Sequence, residues 1–533
     1  MSSQKSLALA GVGIAFLVGA GYAASRWLVG GELTPLAAAE LISQEAVITG
    51  YLSTDPNDWS QLERVGIPQS LLENNWKKAR QEMFAGTKID YARDLQPWLG
   101  GMAFAIIPDA TTQELSEPGF LAIFGIKNKL KAYAFLKKVE QEAKNIQKTD
   151  YHGITIRESQ DSSEPSYVAV VGNKILVATN RQVIEQAIDT DKGLPSLADR
   201  EETKAAFSEK LALKNSLGQI YLTNYPQLIK SLAQSQNNSE LDALPVWDEV
   251  NYIVVGIGAE NQSLRLQSIT QLNSERLTQG FSQPSGKLLA QLPENTISLV
   301  NGSSINQIWS NTVTQLEADR TVNGYLNMLR GGLQMSSGLD LDRDIFGWMD
   351  GEFAVGLIST QTAIIPGLGF GLGGAMLFET KQPDLAKQTL AKLENLLQLS
   401  VGGAPNQIEI QGKTMTQWRE PQSNFTLAYG WLDNNSLMFA VGEEVAESLG
   451  TKSLAKNTKF KAIAKQLPNK NFGYFYLDMD PIATGINGLS DYQKQEITPE
   501  AIELINSIDS IGATSTMSSP TTVRGDLAIR FKH

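Results

Sequence analysis

One thirteen-residue stretch is written twice in this chain, and no other feature limits the possible folds as strongly. Residues 89–101 return as residues 339–351, with Arg93 and Arg343, Asp94 and Asp344, Trp98 and Trp348, and Gly101 and Gly351 in register 250 residues apart. The segments that follow each copy also match in order. The folded part therefore reads as a tandem duplication, with one unit over residues 32–275, a second over 285–533, and residues 1–31 ahead of both. Either unit is long enough to bury a core of its own.

Within each unit, short β-rich runs are separated by turn residues and by amphipathic stretches. In the first, runs at 46–52, 102–107, 119–126, 152–157, 167–171, 174–178, 218–223, 252–258 and 263–271 read as strands. Residues 129–146 read as a helix with Leu130, Tyr133, Ala134, Leu136, Val139 and Ala143 inward and its lysines outward, and residues 69–84 as another. The second unit repeats the pattern from residue 296 onward. Strands and helices do not alternate strictly, which predicts α+β units with mostly antiparallel sheets rather than a doubly wound parallel sheet. A duplicated unit of this kind is expected to pack against its copy about a pseudo-twofold axis.

Residues 6–25 carry no charge and are bracketed by Lys5 and Arg26. About 20 such residues span a bilayer. The run is longer than the apolar part of a usual signal peptide, and Trp27 suits an interfacial belt, so an N-terminal transmembrane signal anchor is favoured over a cleaved leader. Either reading exports the rest of the chain.

The remaining composition works by exclusion. With no cysteine and only His152 and His533, thiol nucleophiles, disulfide scaffolds and multi-histidine metal sites have nothing to be built from. A net charge of −12 without a basic cluster argues against nucleic acid. No cofactor motif is present: the glycines of residues 364–374 are followed by no Lys-Ser or Lys-Thr and sit in no βαβ unit.

A resemblance can be named from particular residues. Tyr51, Leu52, Ser53, Thr54 and Asp55 followed by Trp59, the turn at Gly66, Ile67 and Pro68, and the block Asp90, Tyr91, Asp94, Pro97, Trp98, Leu99 and Gly100 resemble the cyanobacterial members of the domain of unknown function 3352 family. The resemblance covers most of residues 32–533. It implies a membrane-anchored or exported protein of a photosynthetic bacterium and brings no catalytic residue to carry over.

Three sets of residues are candidates for function. Arg93, Asp94, Arg343 and Asp344 offer a carboxylate beside an arginine in both copies, and a hydrolase would use Asp94 with Asp344 as paired carboxylates. The structural reading is stronger: each Asp accepts backbone N–H bonds where the chain turns toward Trp98 or Trp348, and each Arg closes an ion pair or stacks on a ring. Second, Asp340, Asp342 and Asp344 invite a calcium reading, but no distal Glu completes a loop and Asp342 is Ala92 in the first copy. Third, Ile364, Ile365, Leu368, Phe370 and Leu372 form an apolar, glycine-rich stretch where the first unit has a polar loop. Such a surface needs a destination: a bilayer, a partner protein, a hydrophobic ligand or its own core.

The reading that follows is a non-enzymatic binding or assembly protein. It is held by its N-terminal helix in the plasma or thylakoid membrane, its bulk lies in the periplasm or lumen, and it contacts a protein or envelope partner through residues 364–372. Two alternatives stand beside it, a carrier of a lipid or pigment held between the repeats and the hydrolase.

Overall fold

The computed structural model describes residues 32–71, 90–108, 118–142, 146–159, 166–209, 211–235, 249–317, 320–361, 371–401, 405–420, 425–442, 444–490 and 497–532. These fall into two compact units that meet in sequence between residues 273 and 274. Apolar residues at alternate positions turn one row of side chains inward along many of the strands. In residues Val250–Glu260, for instance, Val250, Tyr252 and Val254 are buried while Asn251, Ile253 and Val255 are half-exposed.

The first unit builds ten strands among its described residues: β1 (Ile48–Leu52), β2 (Leu99–Ile107), β3 (Gly119–Ile126), β4 (Ile146–Tyr151), β5 (Ile154–Ser159), β6 (Ser166–Val171), β7 (Lys174–Ala178), β8 (Ser216–Leu222), β9 (Val250–Glu260) and β10 (Ser263–Leu272). Every neighbouring pair is antiparallel, in the order β4-β5-β6-β7-β3-β2-β1-β8-β9-β10. Helices α1 (Pro56–Arg64), α2 (Lys129–Glu142) and α3 (Arg181–Asp191) accompany them. One sheet face packs Leu121, Ile123, Ala169 and Leu176 against Val183, Ile184 and Ala187 of α3. The other packs Phe124, Val168, Ile175 and Val177 against Ala132 and Phe135 of α2.

The second unit supplies β11 (Thr296–Ser303), β12 (Glu352–Thr360), β13 (Gly371–Glu379), β14 (Asn406–Ile410), β15 (Lys413–Arg419), β16 (Thr426–Trp431), β17 (Ser436–Val441), β18 (Tyr474–Asp478), β19 (Ile508–Ser519) and β20 (Thr522–Phe531). Their order is β14-β15-β16-β17-β13-β12-β11-β18-β19-β20, again antiparallel throughout. Its helices include α4 (Ile305–Leu316), α5 (Arg320–Ser337), α6 (Pro383–Val401) and α7 (Val445–Ser448). Leu377, Ala428 and Met438 face Val445 and Ala446 of α7, while Phe378, Tyr429 and Leu437 face Ala386 and Leu390 of α6.

Several local expectations need correction. Helix α2 buries Ala132 and Phe135, whereas Leu130, Tyr133 and Ala134 are exposed; Leu130 is 83% accessible. The helix ends at Glu142, and Ile146, expected within it, opens β4. His152 does not begin a strand. It forms with Gly153 the turn between β4 and β5, at a φ of 53° that the tight hairpin demands. The N-terminal helix and nearly all of the helix expected at 69–84 lie outside the described residues. Among the described residues, no helix is long and apolar enough to cross a membrane.

Candidate functional site

The repeated stretch forms the same corner in both units, immediately before β2 and before β12. Asp90 and Asp340 sit in extended backbone and each accepts an N–H bond three residues on, from Arg93 and Arg343, both at 2.8 Å. This cap starts a single π-helical turn, Tyr91–Leu95 in one unit and Leu341–Phe346 in the other. The wide turn carries Asp94 and Asp344 inward, where both are buried.

Each buried carboxylate is fully engaged. Asp94 accepts from the Asp90 backbone N–H at 2.8 Å, from Arg93 Nε and Nη2 at 3.0 and 2.7 Å, and from Lys138 Nζ at 3.0 Å. Asp344 accepts from the Asp340 N–H at 3.1 Å, from Arg343 at 2.8 and 3.3 Å, and from Lys392 Nζ at 2.8 Å. The Asp main-chain oxygen in turn accepts the indole N–H of Trp98 at 2.6 Å and of Trp348 at 3.0 Å. Both tryptophans are nearly inaccessible. The arginine beside each Asp, foremost, together with the backbone N–H and the helix lysine, holds the carboxyl well below the usual carboxylate range against the opposing effect of burial. A carboxylate in that state is a weak base and gives up no proton near neutrality. Its chemistry is to tie strand, helix and turn together.

The repeated spacing also accounts for the glycines. Gly101 lies at a φ of 106°, and a Cβ there would stand 2.9 Å from the Leu33 oxygen; at Gly351 a Cβ would stand 2.4 Å from the Glu379 oxygen. The three acidic residues read as a possible calcium loop are turned to separate partners: Asp340 caps the turn, Asp344 meets Arg343 and Lys392, and Asp342 accepts from Trp309 Nε1 at 2.7 Å and Arg330 Nε at 2.7 Å.

Of the apolar glycine-rich stretch, Ile364, Ile365, Leu368 and Phe370 lie outside the described residues. Leu372 is not a loop residue: it sits half-buried in β13 opposite Ser359. Gly373 beside it is needed for packing, since a Cβ would meet Val445 of α7 at 2.3 Å.

Two surfaces of the second unit went unnoticed in the sequence. Helix α5 exposes Tyr325, Met328, Leu329 and Met335, the last at 91%, and spacings of three, four, seven and ten residues place them on one stripe. Gly324, Gly331 and Gly332 break up the periodicity that would have revealed it. Between α6 and strands β15 and β16 lies an open cleft of about 260 Å³, lined among others by Lys387, Glu394, Thr414, Thr416, Tyr429 and Trp431. These residues are scattered over 45 positions of sequence and share no motif.

The fold and corner define a mixed helix-and-strand protein built on a large antiparallel sheet, with the same ion-paired turn set into each of two units. The chain belongs to the family described as Protein of unknown function (DUF3352), which it matches over residues 6–531. No curated protein matches it. Solved structures similar to part of the chain include three crystal forms of TP0453. Form IV is 11% identical with a TM-score of 0.27 over 47% of this chain and 83% of that one; form III is 14% identical with a TM-score of 0.25 over 44% and 80%; form I is 13% identical with a TM-score of 0.24 over 46% and 81%.

Proposed function

We propose that this chain is a membrane-tethered, extracytoplasmic binding protein, assembled from one module duplicated in tandem, that performs no catalysis. The matching strand orders and the matching corners support the duplication. The uncharged run at residues 6–25 supports a tether in the plasma or thylakoid membrane, with both units in the periplasm or lumen. The hydrolase reading has less behind it, because Asp94 and Asp344 are each committed to an arginine, a lysine and a backbone N–H.

The observation that carries the binding role is the stripe on α5. Four large apolar side chains on one helix face, each more than half accessible, cost free energy in water and mark a contact surface. The occupant we assign is an apolar groove on a partner protein rather than lipid. A net charge of −12 repels an anionic bilayer, and α5 has only two basic residues, one of which, Arg330, is bonded to Asp342 and Glu317. The test is native gel electrophoresis of membranes carrying the full chain or the double variant Met328→Asp with Leu329→Asp. The reading expects a discrete complex for the unaltered chain, lost in the variant, with circular dichroism and unfolding midpoint unchanged. Equal migration of both forms as the monomer would refute it.

A further inference from the structure

We infer that the cleft between α6, β15 and β16 binds one ring of a neutral saccharide. The proposal stands on a different surface from the α5 stripe and does not depend on it. Trp431, half-buried at the end of β16, supplies an aromatic platform. Around it stand an ammonium, a carboxylate and two hydroxyls, from Lys387, Glu394, Thr414 and Thr416. A pyranose matches that set: its C–H face stacks on an indole, and its hydroxyls both donate and accept.

Charge and size narrow the class. Lys387 is already paired with Asp384 at 3.3 Å and Glu394 is bonded to the Tyr429 hydroxyl, so both charges of the cleft are engaged and neither selects an ion. Lys387 Nζ lies over the Trp431 ring, 5.8 Å from its centre, so a sugar that stacks on the indole displaces the ammonium of this exposed side chain. Glu394 accepts a hydrogen bond from the Tyr429 hydroxyl, which fixes the carboxylate and leaves its second oxygen to accept. Burial, foremost, and this carboxylate raise the Tyr429 pKa, so the phenol stays protonated as the donor. At about 260 Å³ the opening is smaller than the roughly 300–1,000 Å³ of a drug-sized pocket and takes a single ring, with further sugars left in solvent.

The first unit is the internal control. Its sheet has the same pairing: Val168 lies opposite Val177 where Tyr429 lies opposite Phe439, and Val170 opposite Ile175 where Trp431 lies opposite Leu437. Facing Val168 on the next strand is Arg157, where Tyr429 faces Thr416. Following the buried alanine of the covering helix comes Tyr133 in one unit and Lys387 in the other. Trp431, Tyr429, Thr416 and Lys387 thus belong to one unit of a frame common to both, whereas Thr414 and Glu394 answer to like residues of the first unit, Thr155 and Glu140. Residues that a shared scaffold does not need in the first unit are those free to serve a ligand in the second.

The experiment is isothermal titration calorimetry of the full chain, held in a zwitterionic detergent free of sugar, with maltose, cellobiose and N,N′-diacetylchitobiose. Saturable binding of at least one is expected. Trp431→Ala and Glu394→Gln should each weaken it at least about tenfold, the scale of one lost stacking or charge-assisted contact, while Tyr133→Ala in the first unit should leave it unchanged. Lys387→Met and Thr416→Val provide further variants at accessible positions in case Trp431→Ala unfolds. Failure of all three sugars to bind would overturn the proposal. So would binding that persists undiminished in folded cleft variants, or that is lost equally on Tyr133→Ala.

Discussion

The turn before β2 and the turn before β12 share the same cap, carboxylate partners and indole bond, whereas the surfaces of β6 and β16 that face the covering helices differ. Asp94 and Asp344 meet the same kinds of partner, down to the lysine reaching over from α2 or α6. A few strands away, Val168 and Val170 in one unit stand where Tyr429 and Trp431 stand in the other. Repetition thus separates two kinds of residue. Those present in both units close the sheet onto its helix, and those present in one shape a surface for something else.

The largest effects should come from breaking the shared corner. Asp94→Ala or Asp344→Ala removes the acceptor of the Asp90 or Asp340 backbone N–H and the tie to arginine and lysine, at a cost of about 2–4 kcal/mol; the accessible Arg and Lys regain water, which limits the loss. Urea unfolding would check this, and a silent substitution in either unit would break the equivalence. Next in size, Trp98→Phe and Trp348→Phe each delete the indole donor to the Asp main-chain oxygen and leave a small void, about 1–3 kcal/mol apiece.

A smaller effect is expected with pH. Both Asp carboxyls are depressed below their ordinary value in the folded chain. Their contribution is therefore complete above the unfolded value of roughly 4 and is lost as pH falls toward the lower folded values. Unfolding midpoints measured down to pH 3 should fall faster for the unaltered chain than for the double variant Asp94→Ala with Asp344→Ala. Identical slopes would show that the two carboxyls do not carry the pH dependence.

Much of the frame was legible because it rests on local signals. Short β-rich runs located β3, β7 and β10 to within one residue at either end, and the Asp, Trp and Gly spacing marked both corners. What escaped depends on tertiary contact. Lys138 and Lys392 read as part of a solvated helix face, yet their long stems carry the ammonium to a carboxylate dozens of residues away. On α2 the apolar spacing of Leu130 and Tyr133 does not mark the packed face, since the sheet buries the neighbouring Ala132 and Phe135 instead. Ile146, the last residue of the expected helix, is instead the first of β4. The hairpin turn at His152 and Gly153, and its counterpart at Gln411 and Gly412, lacks the usual Asn-Gly pair and adopts positive φ all the same. The cleft had no sequence signature, since Thr416, Tyr429 and Trp431 follow ordinary strand alternation.

Hydrogen–deuterium exchange on the full chain tests most directly whether each corner secures its own unit. Asp94→Ala should speed exchange in β2, β3 and α2, and Asp344→Ala in β12, β13 and α6, each by a comparable factor. Unchanged protection in both variants, or a response confined to one of the two units whichever Asp is replaced, would contradict the account.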